Sequence, residues 1–245
     1  MELEIAILSR AGGRSVNEDA CGFWPAQHSC FCVLSDGAGG HGGGDVASKV
    51  VVREILERFR VDEDGSASGI QAAMRHANEA LVEEQRSSRE LADMRATVVV
   101  LAIDFERARA RWGHLGDSRL YCLRRGRIVA QTRDHSVVQS MVEAGYLQPH
   151  ELRSSPERSK LLNALGNREG FEPRVQSEAF ELESGDKFLL CSDGLWEYVE
   201  EGELEQSIDG HASAEAWLLA LESRVLARGR TRQDNYSALA VWCKE

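Results

Sequence analysis

The 245-residue chain has no Cys-x-x-Cys pair, and none of its six cysteines (Cys21, Cys30, Cys32, Cys122, Cys191, Cys243) has a histidine at zinc-finger spacing. A zinc module is therefore excluded. Most of these cysteines sit inside apolar, strand-like runs, which predicts buried free thiols in a reducing compartment. Positive charge is scarce too: 29 Lys and Arg against 40 Asp and Glu leave a formal charge of -11. Such a balance gives no electrostatic grip on nucleic acid or on an anionic membrane. Any phosphate handled here needs local charge from a metal or a placed arginine. Long apolar runs are also missing. The longest, Val98 to Ile103, is far short of the roughly 20 residues of a membrane helix. The first ten residues have neither a basic stretch nor a long apolar one, so they do not read as a signal peptide. A soluble, cytoplasmic, monomeric protein is expected. No Pro-, Gly- or Ser-rich linker divides the chain, which predicts that residues 1–245 form one domain with a substantial core.

What is present begins with two segments that end alike, Phe31-Cys-Val-Leu-Ser-Asp36-Gly37 and Phe188-Leu-Leu-Cys-Ser-Asp193-Gly194. Each reads as a buried strand that stops at a turn and delivers a carboxylate at its end. The glycine after each aspartate is expected to let the backbone bend, so that its carbonyl faces the same point as the carboxylate. A third case is Asp234-Asn235, directly before the apolar run Tyr236 to Trp242. Any one Asp-Gly is most simply a turn. Three aspartates at strand ends suggest a site for a hard cation.

Around these segments, residues 3–9 and 30–35 read as strands, and 45–60 and 70–86 as a pair of helices joined by the acidic loop Asp62 to Gly69. Strands at 96–104, 109–115, 120–124 and 127–131 read as one antiparallel meander. Residues 135–145 look helical, and the polar stretch 146–160, with two of the four prolines, reads as a surface excursion of the kind used as a lid. Strands near 173–181 and 186–192, a helix at 213–228 and the final strand follow. Strands in runs and helices in pairs predict an α+β fold of two antiparallel sheets with helices packed outside.

Further polar motifs join the three aspartates: Arg14-Ser-Val-Asn-Glu18-Asp19, the Gly-rich Asp36 to His41, Gly116-Asp117-Ser118-Arg119 and Thr132-Arg-Asp-His-Ser136. With Ser192-Asp193-Gly194 and Asp234-Asn235, their order over residues 10–242 resembles the metal-dependent PPM, or type 2C, serine/threonine protein phosphatases in their short bacterial form. The resemblance implies an α-β-β-α sandwich with helix pairs outside. It implies two Mn²⁺ or Mg²⁺ ions at one edge, with a third, weaker site beside them. Carboxylate, carbonyl and water are the oxygen donors that suit these cations.

Carried onto this chain, the resemblance makes Asp36 the bridge between two metals, with Gly37 adding its carbonyl, while Asp193 and Asp234 hold the other metal. Glu18 and Asp19 reach the metals through water, or else serve as cap and turn residues. Asp117 is either the ligand of a third metal shared with Asp193 or a plain turn aspartate. Arg14 grips the substrate phosphate by its guanidinium fork. His41 either donates a proton to the leaving oxygen or orders its loop, and His135 has a structural role. Where bacterial members show Met-Gly-Thr-Thr, this chain has Met94-Arg95-Ala96-Thr97, placing a cation that either adds phosphate affinity or narrows the pocket. The segment 145–160 corresponds to the variable flap. The implied activity is metal-dependent hydrolysis of phosphoserine and phosphothreonine in proteins, reversing a bacterial Ser/Thr kinase in signalling or secretion-system regulation. The alternative is a pseudophosphatase that binds phosphoproteins without turning them over.

Overall fold

In the computed structural model, which describes residues 1–39, 43–229 and 233–244, the apolar runs become strands that are buried on both faces. The first sheet has the order β1 (Glu2–Arg10), β12 (Tyr236–Lys244), β11 (Lys187–Cys191), β7 (Arg119–Arg124) and β8 (Arg127–Gln131). The second runs β10 (Phe180–Glu181), β6 (Arg109–Leu115), β5 (Val98–Asp104), β3 (Ser29–Ala38) and β2 (Asp19–Pro25); β4 (Arg95–Ala96) pairs with β3, and β9 (Arg174–Val175) with β6. All pairings are antiparallel.

Side chains alternate across a strand, so each strand feeds two apolar layers. Cys32, Leu34, Val99, Leu101, Leu120, Phe188, Leu190, Leu239 and Val241 meet between the sheets. Phe31, Val33, Val98 and Val100 face the long helices α1 (Gly44–Val61) and α2 (Ala67–Glu84), against Val51, Ile55, Phe59, Ile70 and Leu81. On the opposite side, Leu189, Cys191, Ala238, Ala240 and Trp242 face α6 (Ala214–Arg228) through Trp217, Leu218, Leu221 and Val225. The four-layer α-β-β-α arrangement expected from the sequence is therefore present. It explains why the strands read as unbroken apolar runs.

One expectation needs correction, and one strand was not anticipated. The run 96–131 is not one meander: β5 and β6 lie in the second sheet, β7 and β8 in the first, and Gly116 to Ser118 carry the chain across the gap. Strand β2 did not stand out in the sequence because it contains Gly22 and ends in Pro25; it forms an edge, paired only with β3, where proline is tolerated. After β11 the chain enters a short helix, α4 (Asp193–Trp196), followed by α5 (Glu201–Ser207), where residues 194–207 read as a helix entry in the sequence.

Residues 146–160 follow α3 (Val137–Glu143) and are strapped down instead of being loose. Leu152 is buried, and Arg153 donates to the carbonyls of Trp196 (3.0 Å) and Val199 (3.3 Å) and to Glu201 (2.9 Å). Arg158 pairs with Glu197. The base of the segment closes on itself, with Val137 N–H donating to Lys160 and Leu162 N–H to His135.

Candidate metal centre

Strand β3 carries Cys32 and Leu34 into the layer between the sheets, and parity puts Asp36 next on that face. The apolar layer thus ends in an acid. Asp36 is held by an unusual rung. Thr97 N–H donates to the Asp36 carbonyl (2.8 Å), but Asp36 N–H donates to the Thr97 hydroxyl (3.0 Å) in place of its carbonyl. That carbonyl accepts from the Ser35 hydroxyl (2.7 Å).

Asp19 lies directly across from Asp36 on β2. Like charges so placed repel. Asp19 is buried; its Oδ2 accepts from the Ser192 hydroxyl (2.7 Å), while Oδ1 is buried with no partner. Because Ser192 directly follows β11, this bond ties the two sheets together at the acid edge. Burial and the neighbouring Asp234 and Glu18, partly offset by Ser192 and Ser237, push Asp19 up to about 6.

Asp117, in the crossing between sheets, is buried and pushed up to about 7, by loss of water first and then by Asp134. Asp193 is raised well above the usual range by burial, then by Asp117, Glu197, Asp234 and Asp19. Asp36 is raised in the same way by burial, then by Asp19, Asp193, Asp117 and Asp234. Five aspartates from distant parts of the chain therefore feel one another at one edge. Arg14 is the cation bonded to the expected ligand set: its Nη2 donates to Asp234 Oδ2 at 2.7 Å, both side chains about half exposed. The Glu18 carboxylate lies against Gly44 at the start of α1, where a Cβ on Gly44 would come within 2.6 Å of it, and burial raises its pKa. His41 lies outside the described residues.

Asn235 organises this edge in a way the sequence did not signal. Its Nδ2 donates to the carbonyls of Ala11 (2.8 Å) and Val16 (2.9 Å), and its Oδ1 accepts from Glu18 N–H (2.8 Å). Gly37 N–H donates to the Glu18 carbonyl (3.0 Å). In an antiparallel rung the return bond would run from Glu18 N–H to the Gly37 carbonyl. Asn235 takes that donor. Among the described residues the Gly37 carbonyl is left with no N–H, so its oxygen is open to another partner.

The two glycines after the aspartates serve close approach. A Cβ on Gly37 would lie 1.9 Å from the Gly44 carbonyl oxygen, and one on Gly194 would lie 2.0 Å from that of Asn235. The bend expected from the sequence is not their reason.

A match to the protein phosphatase 2C model spans residues 9–228. The chain belongs to the protein phosphatase 2C family. It is 38% identical over 165 residues to the serine/threonine protein phosphatase PstP of Mycobacterium tuberculosis, which is 66% of this chain and 31% of that protein; the chain thus spans about a third of that relative's length. It is 30% identical to the serine/threonine phosphatase stp of Listeria monocytogenes, over 79% of this chain and 77% of that one. Its fold superposes with a TM-score of 0.82, at 30% identity and 99% of both chains, on the catalytic domain of PstP in complex with two manganese ions.

Other family motifs now acquire physical roles. Arg119 and Asp134, from Gly-Asp-Ser-Arg and Thr-Arg-Asp-His-Ser, form a buried two-pronged pair (Nε–Oδ1 2.9 Å, Nη2–Oδ2 2.7 Å). The Arg119 guanidinium also stacks on Trp196 at 3.6 Å, and Trp196 Nε1–H donates to the Asp117 carbonyl (2.9 Å). This pair fixes the crossing that presents Asp117. His135 Nδ1 accepts from Gly116 N–H (3.1 Å), and burial pushes its pKa down to about 4, so the neutral ring acts as a structural acceptor.

The donor set fits hard divalent cations. Among the described residues no donor hydrogen is bonded to the carboxylates of Asp36 or Asp193, and Asp19 Oδ1 and the Gly37 carbonyl are also unpartnered. No three His, Cys, Asp or Glu among the described residues are drawn into a closed cage. The acids face one another along an open edge, as mutual repulsion dictates. Protein phosphatase 2C members are typically Mn²⁺- or Mg²⁺-dependent, and the oxygen-only donors agree with that.

Proposed function

We propose that this chain hydrolyses phosphoserine and phosphothreonine in proteins, with Asp36, Gly37, Asp193 and Asp234 holding two Mn²⁺ or Mg²⁺ ions and Asp117 contributing to a third site. The observation that carries this reading is the gathering of five aspartates at one sheet edge with so little positive charge of their own. Bound cations supply charge neutralisation, orientation and activation of water near neutral pH. Asp19, fixed by Ser192 beneath Asp36, and Glu18, at the start of α1, shape the outer shell. Arg14 anchors one nitrogen on Asp234, which leaves the rest of its fork for two phosphate oxygens. An O–P bond from water forms as the bond to the serine or threonine oxygen breaks; the proton passes to that oxygen, giving inorganic phosphate and a free hydroxyl.

The substrate implies a Ser/Thr protein kinase that supplies it. Six free thiols support a reducing, cytoplasmic setting, and no helix among the described residues is long and apolar enough to cross a membrane. The engagement of Arg95 with Asn167 and the Met94 carbonyl supports the phosphatase reading over the pseudophosphatase one. The test is hydrolysis of a phosphothreonine peptide and of p-nitrophenyl phosphate with and without Mn²⁺. Metal-stimulated turnover that Asp36→Asn abolishes is expected. Turnover independent of metal or of Asp36 would sink the proposal.

A further inference from the structure

Arg95 departs from the family pattern and has no role in the ligand set, yet it lies beside it. In the β3–β4 ribbon, Gly37 pairs with Ala96 and Ala38 with Arg95. Alternation puts Asp36, Ala38, Thr97 and Arg95 on one face, opposite to Gly37 and Ala96. Arg95 is thus the diagonal neighbour of Asp36, a separation of about 7–8 Å in a regular ladder. It is the next residue on the same face of the ribbon, two pairs along from Asp36.

The Arg95 side chain is half-buried and held in place. Its Nε donates to Asn167 Oδ1 (3.0 Å) and its Nη1 to the Met94 carbonyl (2.8 Å), both uncharged acceptors. The wall behind is pinned by buried Gln85, whose Nε2 donates to the carbonyls of Met94 (3.0 Å) and Gly166 (2.8 Å). Arg95, Asn167 and Gln85 line a recess together with Arg168 and Glu169. Among the described residues neither Arg95 nor Arg168 has a carboxylate partner, although most arginines of this acidic chain are paired. A fixed guanidinium with spare N–H groups and no counter-charge favours an anion. Glu169 limits the attraction without neutralising both arginines.

We propose that Arg95, with Arg168, forms a substrate subsite for a second anionic group, a side-chain carboxylate or another phosphate, within two or three residues of the phosphoresidue being hydrolysed. An extended peptide advances about 3.3 Å per residue, so two or three residues cover the offset between Asp36 and Arg95. This selectivity rests on the phosphatase reading above.

The experiment compares three fluorescently labelled phosphothreonine peptides. They carry glutamates, glutamines or a second phosphothreonine at two and three residues on either side. With Mn²⁺, wild-type protein should show kcat/KM about three- to tenfold higher for the glutamate and doubly phosphorylated peptides than for the glutamine peptide, chiefly through KM, and the preference should shrink in salt. Arg95→Ala should bring the ratios close to one, Arg95→Lys should keep part of them, and Arg168→Ala should lower them. The larger of the two wild-type ratios identifies the favoured anion. Wild-type ratios near one, or ratios unmoved by Arg95→Ala, would overturn the subsite. If no peptide and no p-nitrophenyl phosphate is hydrolysed, the phosphatase reading fails instead. Fluorescence anisotropy with the same peptides and variants then tests the subsite by binding alone.

Discussion

Substituting Asp117 by asparagine should stabilise the metal-free protein, and the gain should vanish when metal is added. Asp117 is buried, and its pKa is pushed from 3.8 to about 7 by loss of water and by Asp134. At ~1.4 kcal/mol per pH unit, its ionisation in the folded metal-free protein costs about 4 kcal/mol. Water entering the open acid edge reduces this, so a gain of about 1–2 kcal/mol is expected. The folded pKa lies above the unfolded one, so the fold benefits from the proton: that contribution is full below about pH 4 and is lost as pH rises through about 7. Asparagine has the same shape without the charge, and the Trp196 bond to the residue 117 carbonyl is a backbone contact it preserves. In chelator at pH 8, Asp117→Asn should melt about 3–6 °C above wild type by calorimetry; the difference should be smaller at pH 5 and approach zero only below about pH 4. With Mn²⁺ at about a hundred times its Kd, wild type gains ~2.7 kcal/mol; the variant should gain less. A melting temperature in chelator that falls equally at pH 5 and pH 8 would refute the reasoning, because Asp117 would then stabilise the fold through contacts and not be strained by its neighbours.

Two further outcomes test the architecture of the edge. Asn235→Ala removes three hydrogen bonds that shape residues 11–18, so it should lower stability by about 2–3 kcal/mol and weaken Mn²⁺ binding in a calorimetric titration; wild-type affinity would show that presenting the Gly37 carbonyl does not depend on it. Arg119→Met strands buried Asp134 and should cost about 3–5 kcal/mol in urea unfolding, whereas Arg119→Met with Asp134→Leu should recover most of that; equal losses in the two would argue against a buried charge as the cause.

The strands, the paired helices and the order of acidic motifs were legible in the sequence because each depends on adjacent residues. A strand buried on both faces must be apolar throughout, as Cys30 to Leu34 and Phe188 to Cys191 are, and helices α1 and α2 show their repeat within one segment. Ser-Asp-Gly and Asp-Asn could likewise be recognised as ligand candidates from local chemistry. The tertiary structure decided what depends on residues brought from afar. Gly116 to Ser118 resembles a hairpin turn locally, but only the packing of two sheets shows that it changes sheet. Gly37 and Gly194 are small because Gly44 and Asn235 press on them, and those neighbours are set by the fold. The direction of Arg95 follows from Asn167, and the free carbonyl of Gly37 from Asn235. A chain can encode which groups are acidic or apolar in a short window, whereas the distance between two such groups exists only after the chain has closed on itself.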